Sequence, residues 1–298
     1  MDIHAPKAVI GTNSWGGAVM TKIFRGSSVD DQTLKDAIDV AKEKGLFVFD
    51  LAQVYGLGQA QKKIGALGAE GLILSAKFTP TSKYAPGQVQ KSLERDLAEF
   101  HRNYVDIYWL HRPIDIEKNL FEMVELYQKG KIHSIGISNF SLEECRYAKA
   151  ILDSAGIPLY GVQNHYSLLD RKWEKEGVLD WCRENGILYW GWAVLEEGVL
   201  ADPSIKKQAS ITKLMINGKR EKLKPLYERM NEVASKHNIS IAQVAIAYCS
   251  AKGVVPICGC RKPYQVEQLY EAVNTELTDM EMQILEEEAG RVDVKIFK

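Results

Sequence analysis

The sequence predicts an α/β protein with the (β/α)8 TIM-barrel fold, and three observations lead to this class. Eight short apolar runs alternate with longer amphipathic stretches along the 298 residues. The apolar runs are almost continuously hydrophobic, which is typical of parallel strands covered by helices. No Pro/Gly/Ser-rich linker or composition break interrupts the chain, so residues 1–298 are predicted to form a single domain.

The predicted strands are rich in apolar and β-branched residues. They cover residues 8–11, 46–51, 72–76, 104–110, 132–137, 157–163, 187–192 and 254–257. The predicted helices have apolar residues at helical spacing and cover residues 31–44, 88–100, 120–128, 142–153 and 223–237. The longest irregular stretch, residues 202–219, lies between the seventh and eighth strands.

Residues at the helix boundaries agree with these elements. Ser141 with Glu144, and Ser240 with Gln243, have the spacing of a capping box, which marks a helix start. Proline fits the first turn of a helix and glycine fits the position after its last turn. The residues of these two types at predicted boundaries are Pro86, Pro263, Gly45, Gly130 and Gly186.

The competing fold is a doubly wound sheet, which usually carries a glycine-rich dinucleotide fingerprint after its first strand. The nearest candidate here is residues 56–61, which read Gly-Leu-Gly-Gln-Ala-Gln. This segment lacks the third glycine and follows the second strand instead of the first. The sequence therefore favours the barrel.

Composition excludes several classes of function. Lys plus Arg number 38 and Asp plus Glu number 39, and this balance disfavours a nucleic-acid-binding protein. The five cysteines are scattered and odd in number, and Cys258 and Cys260 have no further Cys or His nearby, so neither a disulfide framework nor a zinc site is predicted. No signal peptide and no membrane-spanning run is visible. A cytoplasmic protein without membrane partners is expected.

Four polar residues follow consecutive predicted strands: Asp50, Tyr55, Lys77 and His111. In a TIM barrel the chemistry takes place where strands end at the C-terminal face. A phenol has an ordinary pKa near ~10, and a neighbouring ammonium such as Lys77 would lower it. Asp50 would hold the lysine charged, and His111 could orient a carbonyl oxygen. Each residue alone could be a cap or a rim residue, but the four together predict an acid–base site.

The segments around these residues resemble the aldo-keto reductase family. Asp50-Leu51-Ala52-Gln53-Val54-Tyr55-Gly56 is similar to the family's D-x-A-x-x-Y-G motif. The other matching segments are residues 74–77, 106–111, 135–140, 162–168 and 256–263. The resemblance spans nearly the whole chain. It implies that Asp50, Tyr55, Lys77 and His111 form the catalytic tetrad, with Tyr55 donating a proton to a carbonyl oxygen during hydride delivery.

The resemblance also implies a nicotinamide cofactor, NADP(H) with NAD(H) as an alternative, bound in extended form across the barrel mouth. Ser138, Asn139 and Gln163 would hold the nicotinamide carboxamide, and Trp192 would face the nicotinamide ring unless it is a plain core aromatic. Arg261 would contact the 2′-phosphate of NADP(H), whereas its neighbour Lys262 is expected at the surface. The full set of implied cofactor-binding residues is Thr12, Ser138, Asn139, Gln163, Trp192, Leu195, Gly198, Gly259, Arg261, Gln265 and Gln268.

The chain departs from the family pattern around the cofactor diphosphate. After Trp192 it reads Ala-Val-Leu-Glu-Glu-Gly, where the family often has Ser-Pro-Leu-x-x-Gly. Glu196 and Glu197 would repel a diphosphate unless they point into solvent, and both alternatives stay open. Pro203 replaces a common Lys or Arg, and Leu269 replaces an Asn that commonly contacts adenine. These changes leave open how strictly NADPH is preferred.

Three functions are compatible with the sequence. The first is an NADPH-dependent reductase of aldehydes or ketones, and the second is a slow-turnover regulatory subunit resembling the potassium-channel β subunits. The third, a glycoside hydrolase using Asp50 with Glu196 or Glu197, leaves Lys77 and Tyr55 without a role. The natural substrate, the reaction direction and the oligomeric state stay open. The predicted walls of the substrate pocket are Trp15, Met20, Phe24, Tyr84, Trp109 and residues 202–219.

Overall fold

Eight parallel strands form a closed barrel in chain order in the computed structural model, which describes residues 6–15, 29–55, 58–81, 83–201, 220–292 and 294–296. Strand β8 pairs with β1 and closes the barrel. The strands are β1 Val9–Gly11, β2 Val48–Asp50, β3 Ile73–Phe78, β4 Ile107–Leu110, β5 Ile135–Ser138, β6 Leu159–His165, β7 Leu188–Trp192 and β8 Val255–Gly259. The predicted fold class is confirmed, and the strand ends differ from the prediction by a few residues only.

Helices occupy the connections between the strands. Their bounds are Asp31–Glu43, Gln59–Leu67, Gln88–Phe100, Ile116–Gln128, Leu142–Ser154, Lys172–Lys175, Val178–Glu184, Lys224–His237, Ile241–Ala251, Pro263–Ala272 and Asp279–Arg291. Short 3-10 helices cover Asn13–Trp15, Glu196–Gly198 and Arg220–Leu223. Each of the five predicted helices is present, and the one expected at 120–128 begins earlier, at Ile116.

The predicted helix boundaries are confirmed at most positions. Both capping boxes are formed, at Ser141 and at Ser240, and Pro263 is the first residue of its helix. The prediction for Pro86 is wrong. The helix after it begins at Gln88, and Gly87 occupies the N-cap position with a φ of 77°. A left-handed cap favours glycine, so the proline lies in the preceding turn instead of the first helical turn.

Large aromatic rings fill the barrel interior. Trp109 on β4 and Trp190 on β7 lie 4.9 Å apart between ring centroids, and Tyr160 on β6 packs edge-on at 5.9 Å from each of them. A Cβ atom on Gly136 of β5 would lie 2.3 Å from the Trp109 ring. Only glycine fits beside an indole at that distance, so the residue on β5 and the residue on β4 are matched in size.

The packing corrects part of the predicted substrate pocket. Trp109 is fully buried inside the barrel. Trp15 is buried as well, since its ring packs on Phe49 and its indole N–H donates to the carbonyl of Cys260 at 2.8 Å. Tyr84 donates its hydroxyl to Glu122 at 2.6 Å. Met20, Phe24 and residues 202–219 lie outside the described residues.

Candidate active site

A buried carboxylate at the end of β2 organises the site. Asp50 is 1% exposed. Its Oδ2 forms an ion pair with Lys77 Nζ on β3 and accepts a hydrogen bond from the Tyr55 hydroxyl at 3.3 Å. Its Oδ1 accepts from Ser75 Oγ at 3.0 Å and from Gln163 Nε2 at 3.1 Å. These four donors fix the carboxylate and balance its charge, as a buried ion requires.

Lys77 connects the carboxylate to the phenol. Its side chain is completely buried, and Nζ lies 3.3 Å from the Tyr55 hydroxyl and 5.0 Å from the centre of the Tyr55 ring. Burial lowers the pKa of Lys77 below its ordinary value, while the Asp50 carboxylate raises it in opposition. A cation at this distance can stabilise the negative charge that forms on a phenol oxygen when it gives up its proton.

His111 lies directly after β4, and its main-chain N–H donates to the Phe78 carbonyl at 2.9 Å. Its Nδ1 lies 2.7 Å from Thr79 Oγ1. Burial, together with the positive charges of Lys77 and Arg112, lowers the pKa of His111 to about 3. The imidazole is therefore neutral near pH 7. A neutral ring oriented by Thr79 can form a hydrogen bond to a substrate oxygen, but it is a poor proton source.

The predicted carboxamide-binding residues join one another across three strands. Ser138 Oγ donates to the Gln163 carbonyl at 2.7 Å. Asn139 Nδ2 donates to Ser138 Oγ and to the His111 carbonyl, both at 3.1 Å. The Trp192 indole N–H donates to Asn139 Oδ1, also at 3.1 Å. The strand ends therefore bring this set together, and Trp192 stays half-buried instead of filling the barrel core.

The predicted cofactor residues near β1 and β8 differ in their exposure and in their hydrogen bonds. Thr12 is fully buried and donates its hydroxyl to the Asp50 carbonyl at 2.8 Å, so it joins β1 to β2. Gly259 is exposed at the end of β8, and Arg261 is half-buried next to it. Gln265 Oε1 accepts from the main-chain N–H of Arg261 at 2.8 Å and of Lys262 at 3.2 Å. Gln265 is therefore occupied in capping a helix start.

The last turns of the helix Pro263–Ala272 carry two further residues from the sequence analysis, Gln268 and Leu269. Gln268 is half-buried, whereas Leu269 is 1% exposed and belongs to the hydrophobic core. Lys262 is exposed, as expected. Leu269 therefore packs in the core under the helix as an ordinary apolar residue.

The structure contradicts one of the two alternatives for Glu196. Its side chain does not point into solvent, because it is fully buried and hydrogen-bonded to His165 and Ser167. Its repulsion of a cofactor diphosphate stays a prediction. Glu197 is half-buried, and so are Leu195 and Gly198 on either side of the pair. Pro203 lies outside the described residues.

Three residues that support the site were not predicted from the sequence: Ser75, Thr79 and His165. Ser75 lies two residues before Lys77 on β3, and that period-two spacing on a strand was a usable signal, because both side chains point to the same face. Thr79, which contacts the His111 ring, lies two residues after Lys77 and therefore had the same period-two spacing. The contact between His165 and Glu196 had none, because the two residues are far apart in the chain and meet only through the pairing of β6 with β7.

The residue types at the barrel mouth fit a nicotinamide dinucleotide. A half-buried indole and a side-chain amide stand at the ends of β7 and β5, and an arginine follows the exposed glycine at the end of β8. Stacking surface, amide groups and a cation beside a helix start are the donors and contacts that such a cofactor requires. Among the described residues no group of three His, Cys, Asp or Glu side chains is placed to hold a metal ion.

The fold and the site together define a (β/α)8 barrel with acid–base groups at the C-terminal ends of its strands. The chain belongs to the Aldo/keto reductase family, whose family model matches residues 7–289. It is therefore an oxidoreductase. Members of this family act on small carbonyl compounds and use nicotinamide cofactors. Within the described part of the chain, no helix has the length and apolar character needed to cross a membrane.

Three known proteins illustrate the similarity. Pyridoxal reductase, chloroplastic, of Arabidopsis thaliana is 28% identical over 93% of this chain and 81% of its own length. The NADPH-dependent alpha-keto amide reductase of Saccharomyces cerevisiae is 23% identical over 92% of this chain and 84% of its own. The crystal structure of the thermostable aldo-keto reductase Tm1743 with the inhibitor epalrestat has a TM-score of 0.75 and 25% identity, and the match covers 95% of both chains.

Proposed function

We propose that the protein uses NADPH to reduce an aldehyde or a ketone to the alcohol, with Tyr55 as the general acid. The observation that carries this proposal is the buried Asp50–Lys77 pair next to the Tyr55 hydroxyl. A phenol beside a buried cation is a suitable proton donor for a developing alkoxide. A solvated structural tyrosine would have no need of a buried lysine.

The tetrad residues divide the work. When bound, the cofactor supplies the hydride. Tyr55 gives its proton to the carbonyl oxygen of the substrate, and Lys77 stabilises the phenolate that this leaves. Asp50 keeps the lysine charged although burial lowers its pKa. His111, which is neutral because its pKa is lowered to about 3, orients the same oxygen by a hydrogen bond.

The residues proposed to bind the cofactor lie at or near the C-terminal ends of the strands. Asn139 and Ser138 would contact the nicotinamide carboxamide, and Trp192 would cover one face of the nicotinamide ring. Gln163 would contribute chiefly by holding Asp50, since its Nε2 already donates to that carboxylate. Arg261 would select NADPH over NADH through its charge, and one relative is named as NADPH-dependent.

The remaining predictions from the sequence stay predictions: one domain over residues 1–298, a cytoplasmic location, and contacts of Thr12, Leu195, Gly198, Gly259, Gln265 and Gln268 with the cofactor. The relatives described above are named as reductases, which favours an enzyme over a slow regulatory subunit. The glycoside hydrolase hypothesis is disfavoured because it leaves Lys77 and Tyr55 without a role. In addition, Glu196, one of its two candidate partners for Asp50, is already bound to His165 and Ser167.

The test is NADPH consumption, followed by absorbance, with a panel of aldehydes and ketones. The wild type should turn over and Tyr55→Phe should lose roughly 10²–10⁴-fold in kcat, because general acid catalysis is typically worth that much. Its NADPH affinity should stay close to wild type, since the proton is needed only as the oxyanion forms. A loss in kcat below tenfold would contradict the assignment of Tyr55.

A further inference from the structure

A buried carboxylate is anchored at the start of the segment after β7. Glu196 has no exposed surface. Its Oε1 accepts a hydrogen bond from Ser167 Oγ and lies 2.9 Å from His165 Nε2. Its Oε2 is buried without a hydrogen-bond partner in the described part of the chain. Burial of a carboxylate is unfavourable unless it is well hydrogen-bonded, so this placement needs a specific reason.

The hydroxyl that binds Glu196 belongs to a tight turn after β6. Ser167 Oγ accepts from the main-chain N–H of Leu169 at 3.1 Å and of Asp170 at 3.0 Å while it donates to Glu196. His165 Nδ1 lies 3.6 Å from Asp170 Oδ2. Both groups that hold the glutamate are thus fixed by the same turn, which makes it a firm anchor.

The segment itself has an uncommon backbone. Ala193, Glu196 and Glu197 have φ values of 58°, 48° and 56°. This left-handed region is disfavoured for residues with a Cβ atom. Such conformations persist only where surrounding contacts enforce them, and they are concentrated at functional sites. The side chain of Glu196 supplies one such contact, because it ties the segment to the end of β6.

The same histidine also contacts the aromatic ring at the barrel mouth. The rings of His165 and Trp192 stack at 4.6 Å between centroids with an interplanar angle of 21°. The Trp192 N–H is held by Asn139 on its other side. His165 therefore links the Glu196 carboxylate to the indole, and a change at Glu196 affects the segment and the ring together.

We propose that Glu196 is a positioning residue that acts through His165 and Ser167 to hold Trp192 and residues 193–198 in a cofactor-ready shape before the cofactor binds. The proposal rests on the proposed function, in which this end of the barrel binds a nicotinamide dinucleotide. A preorganised site binds more tightly because its ordering cost is met during folding. The carboxylate therefore supports cofactor binding, although its charge alone would oppose it.

Two substitutions separate the anchor from the charge. Glu196→Ala removes the hydrogen bonds and the charge, whereas Glu196→Gln removes the charge and keeps an oxygen that can accept from Ser167. The chain also offers a matched control. Glu281 is another buried glutamate bound to a histidine, with its Oε2 at 3.0 Å from His237 Nε2, and it lies in the outer helix Asp279–Arg291. Glu281 also accepts a hydrogen bond from the main-chain N–H of Thr278 at the start of that helix. Glu281→Ala therefore reports the effect on stability of losing a buried, hydrogen-bonded glutamate in a helix other than the segment after β7.

The first measurement is hydrogen–deuterium exchange in the cofactor-free protein. The amides of residues 196, 198 and 200 donate to carbonyls within the segment at 2.8, 2.9 and 3.1 Å. Glu196→Ala should raise their exchange rates at least about tenfold above wild type, Glu196→Gln should raise them less, and Glu281→Ala should leave them unchanged. The second measurement is the Kd for NADPH from quenching of tryptophan fluorescence.

The affinity should follow the same order. We expect Glu196→Ala to weaken NADPH binding at least about tenfold, with partial recovery in Glu196→Gln and no change in Glu281→Ala. The inference is overturned by wild-type affinity in Glu196→Ala, by tighter binding, or by an equal loss in the control. A wild type that binds neither NADPH nor NADH would instead refute the proposed function, and the inference with it.

Discussion

The indole N–H of Trp109, inside the barrel, donates a hydrogen bond to Ser75 Oγ at 2.7 Å. Ser75 in turn donates to Asp50 Oδ1 at 3.0 Å. All three side chains are buried. The packed core of the barrel is therefore connected to the candidate catalytic carboxylate through one hydroxyl group, and the orientation of Asp50 depends on it.

This connection predicts that Ser75→Ala lowers activity more than Trp109→Phe does. Ser75→Ala removes a donor from Asp50 and leaves the indole N–H buried without its partner, which is costly. Trp109→Phe removes only the indole, so Ser75 can still donate to Asp50. We expect kcat to fall about tenfold in Ser75→Ala with KM little changed, measured by steady-state kinetics. A larger effect in Trp109→Phe at equal thermal stability would show that core packing matters more than the hydrogen bond.

The low pKa of His111 predicts that this residue contributes no step to the dependence of kcat/KM on pH between pH 5 and pH 8. Because burial and the charges of Lys77 and Arg112 lower that pKa to about 3, the ring binds no proton between pH 5 and pH 8. An ordinary histidine titrates near ~6.5 in this interval. We therefore expect kcat/KM to show no step caused by His111, and the NMR signals of its ring to stay constant. A ring signal that shifts with a midpoint near ~6.5 would contradict the buried placement.

The position of Arg261 predicts cofactor selectivity. If its guanidinium contacts the 2′-phosphate, Arg261→Ala should weaken NADPH by roughly one to two orders of magnitude and spare NADH, since a charge-assisted hydrogen bond contributes about 1.5–3 kcal/mol. Fluorescence titration with both cofactors measures this. Lys262→Ala serves as a control, because that side chain is an exposed cation on the next residue. Equal losses for NADPH and NADH would refute the assignment.

Asp96 predicts a pH dependence of stability. Burial raises its pKa to about 7, against hydrogen bonds from Gln53 and Gln61 that lower it. In the unfolded chain the pKa is near ~3.9. The folded state therefore binds more protons between pH 4 and pH 7, and stability should fall as the pH rises through this window. Both glutamines can still donate to the amide oxygen of an asparagine.

Asp96→Asn should accordingly remove this slope and be more stable than wild type at pH 8. One pKa unit corresponds to ~1.4 kcal/mol, so the gain is at most a few kcal/mol. Denaturant unfolding at pH 5 and pH 8 measures both values. Wild type and variant with the same slope would show that Asp96 does not carry the effect.

Much of the fold was predictable from local pattern. The eight apolar runs and the capping boxes at Ser141 and Ser240 are properties of short segments, and the structure confirms them. The start of the helix after Pro86 was not predictable from local pattern. The left-handed cap at Gly87 is a conformation that residue types alone do not specify.

By itself the sequence predicted that Asp50, Tyr55, Lys77 and His111 lie at the same end of the barrel, because each belongs to a strand end or the loop after it and parallel strands end at one face of a barrel. The tertiary structure alone decided where Trp109 and Glu196 point. Trp109 fills the interior because β4 pairs with β5 in a register that places it opposite Gly136. Glu196 turns inward because β6 and β7 pair with His165 opposite Trp192, a register that no local pattern contains.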